Sequence, residues 1–206
     1  ICFAESTKIC FEIWKESDAS LKKRNDTQGD LSIKYQSLKL KHKSKMLLEK
    51  LYELESVEVL KTMILVNNVD YPVVFKVLNV LDGTRPQLTI PHIFKLINTI
   101  VRSTNKQQSP NVLETSVFLV EYAKSLQNDS IEDVYDDSMN FLKEVSSDLS
   151  TYKLILINVV KFISVIAQKL RHSKFGEQKK TKKEIGDMFL KILPASLNFK
   201  NVDVSS

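Results

Sequence analysis

Glycine and proline are scarce, at 4 and 5 in 206 residues. Tight hairpins turn on glycine-rich dipeptides, so a chain this poor in them has little material for a sheet-rich fold, and long helices joined by short loops are expected. Cysteine is rarer still. Cys2 and Cys10 are too few for a disulfide framework and lack the partners of a zinc site, which points to a reducing compartment, cytosol or nucleus. The chain starts ICFAESTKICF, with neither an initiator methionine nor a signal-peptide pattern, and is expected to be a piece of a longer protein. Long apolar runs are also missing. The strongest, LILINVVKFISVIAQKL at 154–170, is interrupted by Asn158 and Lys161 and barely reaches spanning length, so it reads as a buried helix. No large excess of one charge is present: 30 Lys and Arg against 25 Asp and Glu leave +5, short of what a nucleic-acid-binding domain carries. Local clusters must therefore carry any electrostatic function.

What is there is enough to fold. A hydrophobic content of 43% with 27% charge supports a packed core. Phe3, Ile9, Ile13 and Trp14 are spaced for a helix over 1–21, closed by the polar run KKRNDTQGD, where a natural break falls. From about Ile33, Tyr35, Leu38, Leu47, Leu48, Leu51 and Leu54 read as one helix face, with Lys39, Lys41, Lys43, Lys45 and Lys50 forming a solvated one. A further helix is expected over 57–66, another from Tyr71 with Pro72 in its first turn, and LDGTRP at 81–86 is a stop. Pro91 opens a helix whose Ile93, Phe94, Ile97 and Ile100 share a face. After a polar loop at 103–111, 112–126 is helical, with Val117, Val120 and Ala123. Ser130 and Asp133 approximate a capping box opening IEDVYDDSMNFLKEV, with Val134, Phe141, Leu142 and Val145 inward.

Amphipathic helices thus alternate with one that is apolar nearly all round. That succession suits an all-α fold, an α-solenoid of stacked antiparallel helix pairs like HEAT or armadillo arrays, although no residue motif repeats at a fixed period. The organisation expected is an N-terminal helix and polar loop at 1–32, separate from an α-solenoid segment at 33–206.

Catalytic groups do not converge. His42, His92 and His172 lie in separate regions without metal-ligand spacing, and no nucleophile elbow or Walker loop occurs. Gly176 and Gly186 do not make a phosphate loop. Glu132, Asp133, Asp136 and Asp137 lack calcium-loop spacing and read as acidic residues in a helix's first turn. No catalytic, cofactor-binding or metal site is expected.

The stretch KFGEQKKTKKEIGDMF at 174–189 is harder to dismiss. Thr181 and Glu184 fit a capping box, and Ile185, Met188, Phe189, Ile192 and Leu193 form an apolar stripe for packing. Lys179, Lys180, Lys182 and Lys183 crowd the start of that helix, where positive charge opposes the helix dipole. They are the candidate contact for a partner or anionic lipid. Solvated lysines are the bland alternative, and without interleaved aromatics nucleic acid ranks last.

Three blocks carry a resemblance: VLDGTRPQLTIPHIFKLI at 80–97, IEDVYDDSMNFLKEV at 131–145 and FGEQKKTKKEIGDMF at 175–189. Together, in order over about 47–193, they resemble the Dopey family of very large helical-repeat trafficking proteins. The resemblance implies a non-catalytic scaffold or adaptor segment, internal or from the C-terminal half, acting in endosome-to-Golgi transport. It further implies a peripheral place on the cytosolic side of Golgi and endosome membranes. The partners implied are a Sec7-related protein of the Arf-exchange-factor type and a type-IV P-type ATPase phospholipid flippase. Two alternatives stay open: an anionic-lipid, phosphoinositide-binding module acting through the lysines, and a nucleolar helical-repeat scaffold.

Overall fold

The computed structural model describes residues 3–24, 31–66, 71–83, 85–103 and 112–202. Every regular element among them is helical, so the fold is all-α. The chain forms two compact units, residues 1–84 and 85–206.

The first unit holds α1 (Phe3–Arg24), α2 (Leu31–Val66) and α3 (Tyr71–Leu81). Helix α1 lies along α2 and buries Thr7, Cys10, Phe11, Trp14 and Ser17, an i, i+3, i+4 stripe. Ile9, one of the apolar residues whose spacing marks this helix in the sequence, is exposed. The expected break at residue 32 falls next to the start of α2, and most of the polar run before it, 25–30, lies outside the described residues. The helices expected over 33–54 and 57–66 are one element kinked at Glu55 (φ −145°, ψ 65°). The apolar face read for its first half is only partly the buried one. Ser44, Leu48 and Tyr52 point inward at i, i+4 intervals, while Tyr35, Leu38, Leu47 and Leu54 are exposed. The reason is supply: the sequence offers apolar side chains on more than one side of this long helix, and α1 covers a single strip. One cation from the lysine run ties α2 to α1. Lys41 bridges to Asp18 at 2.6 Å and sits 4.9 Å from the centroid of the buried Trp14 ring, whereas Lys39 and Lys43 face solvent. Helix α3 ends as its LDG sequence indicates, with Asp82 N–H donating to the Leu78 carbonyl and Gly83 in the left-handed region at φ 63°.

The second unit holds α4 (Pro86–Arg102), α5 (Val112–Ser125), α6 (Asn128–Asp133), α7 (Tyr135–Ser147), a 3-10 turn (Lys153–Ile155), α8 (Leu156–Leu170) and α9 (Lys179–Val202). Pro86, not Pro91, sits in the first turn of α4, where its missing N–H costs nothing; Pro91 lies inside the helix. The polar loop expected at 103–111 lies, beyond Ser103, outside the described residues. IEDVYDDSMNFLKEV is two helices divided at Val134, and α6 starts at Asn128 with no side-chain cap, so Ser130 and Asp133 do not cap it. Val134, Phe141, Leu142 and Val145 do turn inward.

Helix α8 is the centre of this unit and packs against α5, α6 and α9. Its run of Leu156, Val159, Phe162, Ile163, Val165, Ile166 and Leu170 is buried, which accounts for the transmembrane-like composition. Among the described residues no helix is long and apolar enough to cross a membrane. The core is strongly aromatic: Phe94 stacks on Phe141 at 4.3 Å and meets Phe162 edge-on at 5.8 Å, and Tyr152 closes on Phe141 at 6.4 Å. The buried polar residue of α8, Asn158, is satisfied. Asn158 donates through Nδ2 to Ser116 Oγ at 2.9 Å, tying α8 to α5.

Candidate functional site

The lysine-rich start of α9 is positioned by the connection from α8, residues 171–178. This segment folds back on itself: Ser173 N–H donates to the Leu170 carbonyl, Gly176 N–H to Ser173 Oγ at 3.0 Å, Glu177 N–H to the Ser173 carbonyl and Gln178 N–H to the Phe175 carbonyl. Gly176 is buried there, and a Cβ at this position would collide with the Leu170 carbonyl oxygen, with the Leu170 carbonyl carbon 2.7 Å away and its Cβ 2.8 Å away. Close approach of two backbones, not a left-handed φ, is what requires glycine here.

Tyr135 pins the same segment from α7. Its ring meets Phe175 edge-on at 4.9 Å, and its hydroxyl donates to Glu184 Oε2 at 3.0 Å. Burial, then the hydrogen bond and charge of Glu184, push the Tyr135 pKa well above the ordinary phenol value. Thr181 and Glu184 are therefore not a capping box. Helix α9 has already begun at Lys179, so Thr181 lies inside its first turn and is buried, while Glu184 is taken up by Tyr135.

On this mount Lys179, Lys180, Lys182 and Lys183 are all exposed. At 100° per residue they cover an arc of about 160°, and Thr181 points opposite its middle, which is why one side of the turn buries and the other carries only cations. The first turn of α9 holds no acidic residue, and among the described residues none of the four ammonium groups is paired with a carboxylate. Exposed cations thus sit on the positive end of a helix dipole, each disfavoured by about 0.3–1 kcal/mol. An anionic surface would relieve this.

Beside the lysines, α8 and α9 part to leave a groove of about 840 Å³. Ile163, Ala167, Leu170, Ile185, Phe189 and Leu190 give it an apolar lining, and Arg171 and Lys182 supply cations. Of the stripe expected to pack, only Ile192 is fully buried; Ile185, Met188, Phe189 and Leu193 are half-covered. The groove was not legible in the sequence because nothing local marks which part of an amphipathic stripe its neighbour leaves open. Gly186 lines the groove, and a Cβ added there would meet nothing within 4 Å.

The other candidates do not converge with this site. Asp136 and Asp137 occupy the first turn of α7, where the helix dipole favours them. His42 and His172 face solvent, and His92 Nδ1 meets the Leu88 carbonyl of its own helix. Among the described residues no three His, Cys, Asp or Glu side chains gather into a metal-binding group. A second open groove, of about 600 Å³, runs past Lys95, Thr99, Arg102 and Asp137. At its edge Arg102 bridges to Glu144 at 2.5 Å, Asn98 donates to Glu144 at 2.8 Å, and Tyr152 donates to Asn98 Oδ1 at 2.8 Å. These groups satisfy one another and hold α4 to α7. Burial, then the charge of Glu144, push Tyr152 up to about 12.

Comparison with known proteins agrees with the resemblance read from the three blocks. Residues 118–206, which include α9 and its lysines, match the family model described as DOP1 C-terminal. Protein dop1 of Emericella nidulans is 32% identical over 213 residues, covering 97% of this chain and 12% of that protein. Protein DOP1 of Saccharomyces cerevisiae is 31% identical over 226 residues, covering 97% of this chain and 13% of its own length. The chain thus spans about an eighth of the curated relatives it matches. No solved structure matches it. With relatives of one name matching nearly its whole length and the family model matching its last four helices, the chain belongs to the DOP1, or Dopey, family.

Proposed function

We propose that this chain is a non-catalytic scaffold segment of a Dopey protein in endosome-to-Golgi transport, contributing helical units to a longer α-solenoid. Its start of α9 is the contact for a protein partner. The observation that carries this reading is the presentation of four exposed lysines at the start of one helix, none of them paired with a carboxylate among the described residues, beside the packing of Gly176, Phe175, Tyr135 and Glu184. Such a mount would stabilise nothing in the fold by its charge, and an acidic partner supplies the missing counter-charge. The context proposed with it, as the resemblance implies, is a Sec7-related partner, a type-IV P-type ATPase flippase, and the cytosolic side of Golgi and endosome membranes. The test replaces Lys179, Lys180, Lys182 and Lys183 with Glu in the full-length protein and measures co-purification with the Sec7-related partner and the flippase. Reduced recovery with retained folding supports the reading; unchanged recovery of both removes it.

The lysine arc also favours a second reading, direct binding to anionic lipid, since each lysine near such a surface adds about 1 kcal/mol. Flotation of this chain with phosphoinositide-containing liposomes separates the two. Binding that fades with salt and is lost in the four-Glu variant supports the lipid reading, whereas a partner interface with an apolar centre persists in salt. Localisation of the full-length protein to nucleoli would instead support the nucleolar scaffold.

A further inference from the structure

We infer that the α8–α9 groove binds an amphipathic helix of a partner protein, apolar along one face and acidic in its first turn. The inference rests on the scaffold reading above and gives that contact a location and a ligand chemistry. Lining residues run along α9 from Lys182 to Leu190, about 12 Å or two turns, and along α8 from Ile163 to Arg171. Two turns is the span of apolar anchors at i, i+4 and i+7, the spacing by which a helix lies in a groove. The floor is apolar and the cations stand at one end, where Arg171 closes α8 and Lys182 belongs to the lysine turn of α9. A partner helix carries Asp or Glu most favourably in its own first turn, so its acidic end meets Lys182 with Lys179, Lys180 and Lys183 alongside, while its anchors descend onto Ile185, Phe189 and Leu170. A flat membrane would engage the lysine arc without using the groove. The union of an apolar trough with charge at one end is what a helical ligand uses.

Gly186 makes the groove. Glycine inside a helix costs about 0.5–1 kcal/mol relative to alanine, and here no neighbouring atom forbids a side chain, since a Cβ meets nothing within 4 Å. What its absence secures is open volume beside Ile185 and Phe189.

The experiment selects binders to the full 206-residue chain from a displayed library of amphipathic helical peptides. The best binder is then titrated by fluorescence anisotropy against the wild type, Gly186→Ala, Gly186→Leu and the four-Lys-to-Glu variant. Thermal melts verify that each variant folds. The expected result is a consensus with apolar residues at i, i+4 and i+7 and acidic residues at one end. Affinity should be kept in Gly186→Ala and should fall at least about tenfold in both Gly186→Leu and the lysine variant. No enriched helix, selected peptides without acidic bias, or equal binding to Gly186→Leu overturns the inference. Two other results also overturn it. Anionic vesicle binding that Gly186→Leu abolishes would assign the groove to a lipid chain, and dimerisation that Gly186→Leu abolishes would assign it to a second copy. Failure here with reduced partner co-purification by the lysine variant leaves the scaffold reading standing; groove binding without any effect on co-purification removes that reading instead.

Discussion

Two glycines ten positions apart, Gly176 and Gly186, should respond to the same substitution with opposite sign. Gly176 is buried where a Cβ would strike the Leu170 carbonyl oxygen, and the atoms behind it, at 2.7 and 2.8 Å, are backbone and Cβ with no rotamer to swing aside. Gly176→Ala can be accommodated only by moving the 171–178 connection off the end of α8, which loosens the Ser173–Gly176 and Phe175–Gln178 hydrogen bonds. Overpacking of this kind costs about 1–3 kcal/mol. Gly186→Ala meets open space and gains helix propensity, which should stabilise by about 0.5–1 kcal/mol. For a chain of this size the two variants should separate by several degrees in melting temperature, at about 2–4 °C per kcal/mol. Because the single tryptophan, Trp14, lies in the first unit, its fluorescence is the wrong probe. Hydrogen exchange of α8 and α9 amides reads the unit concerned, and Gly176→Ala should accelerate exchange around 170–183 while Gly186→Ala slows it. Unchanged or slower exchange in Gly176→Ala would refute the close-approach argument.

Other consequences are equally specific. Asp18→Asn should lower the stability of the first unit by about 1 kcal/mol at neutral pH, read by Trp14 fluorescence in urea. Burial raises the Asp18 pKa, but Lys41 and Lys22 outweigh that and leave it below the ordinary 3.8, so its contribution holds above that value and is lost as pH falls through the lowered one. A wild-type acid transition no different from the variant's would contradict this. Tyr135 has the opposite sign: its folded pKa is raised above 10.0, so its contribution is complete below that pH and lost as pH rises past it. Tyr135→Phe should cost about 1 kcal/mol at neutral pH and flatten the alkaline loss of helix measured by circular dichroism. Asn158→Ala should cost about 1–3 kcal/mol, whereas the double change Asn158→Leu with Ser116→Ala, which removes both partners of the 2.9 Å bond, should cost less than the two single changes added. Additive costs in a double-mutant cycle would mean the bond ties nothing together.

The sequence by itself determined the class of fold and most of the elements. Scarce glycine and proline, the apolar spacing of α4, α5 and α7, and the near-continuous apolar run of α8 follow from helix periodicity and propensity, which are local properties. The three blocks also determined the family. Element boundaries that depend on competition were decided elsewhere: Pro91 lost to Pro86 as the start of α4, Val134 divides α6 from α7, and Leu54 and Val57 share a kinked helix because the backbone bends at Glu55 without ending it. The candidate site divided in the same way. Four lysines in five positions are visible in the sequence. That Glu184 is claimed by Tyr135 forty-nine residues away, and that α8 leaves Ile185 and Phe189 half-covered, are facts about neighbours distant in the chain. Tertiary structure alone decided them, because burial is settled by which surfaces meet, and a stripe of apolar residues specifies that it will be covered without specifying by what.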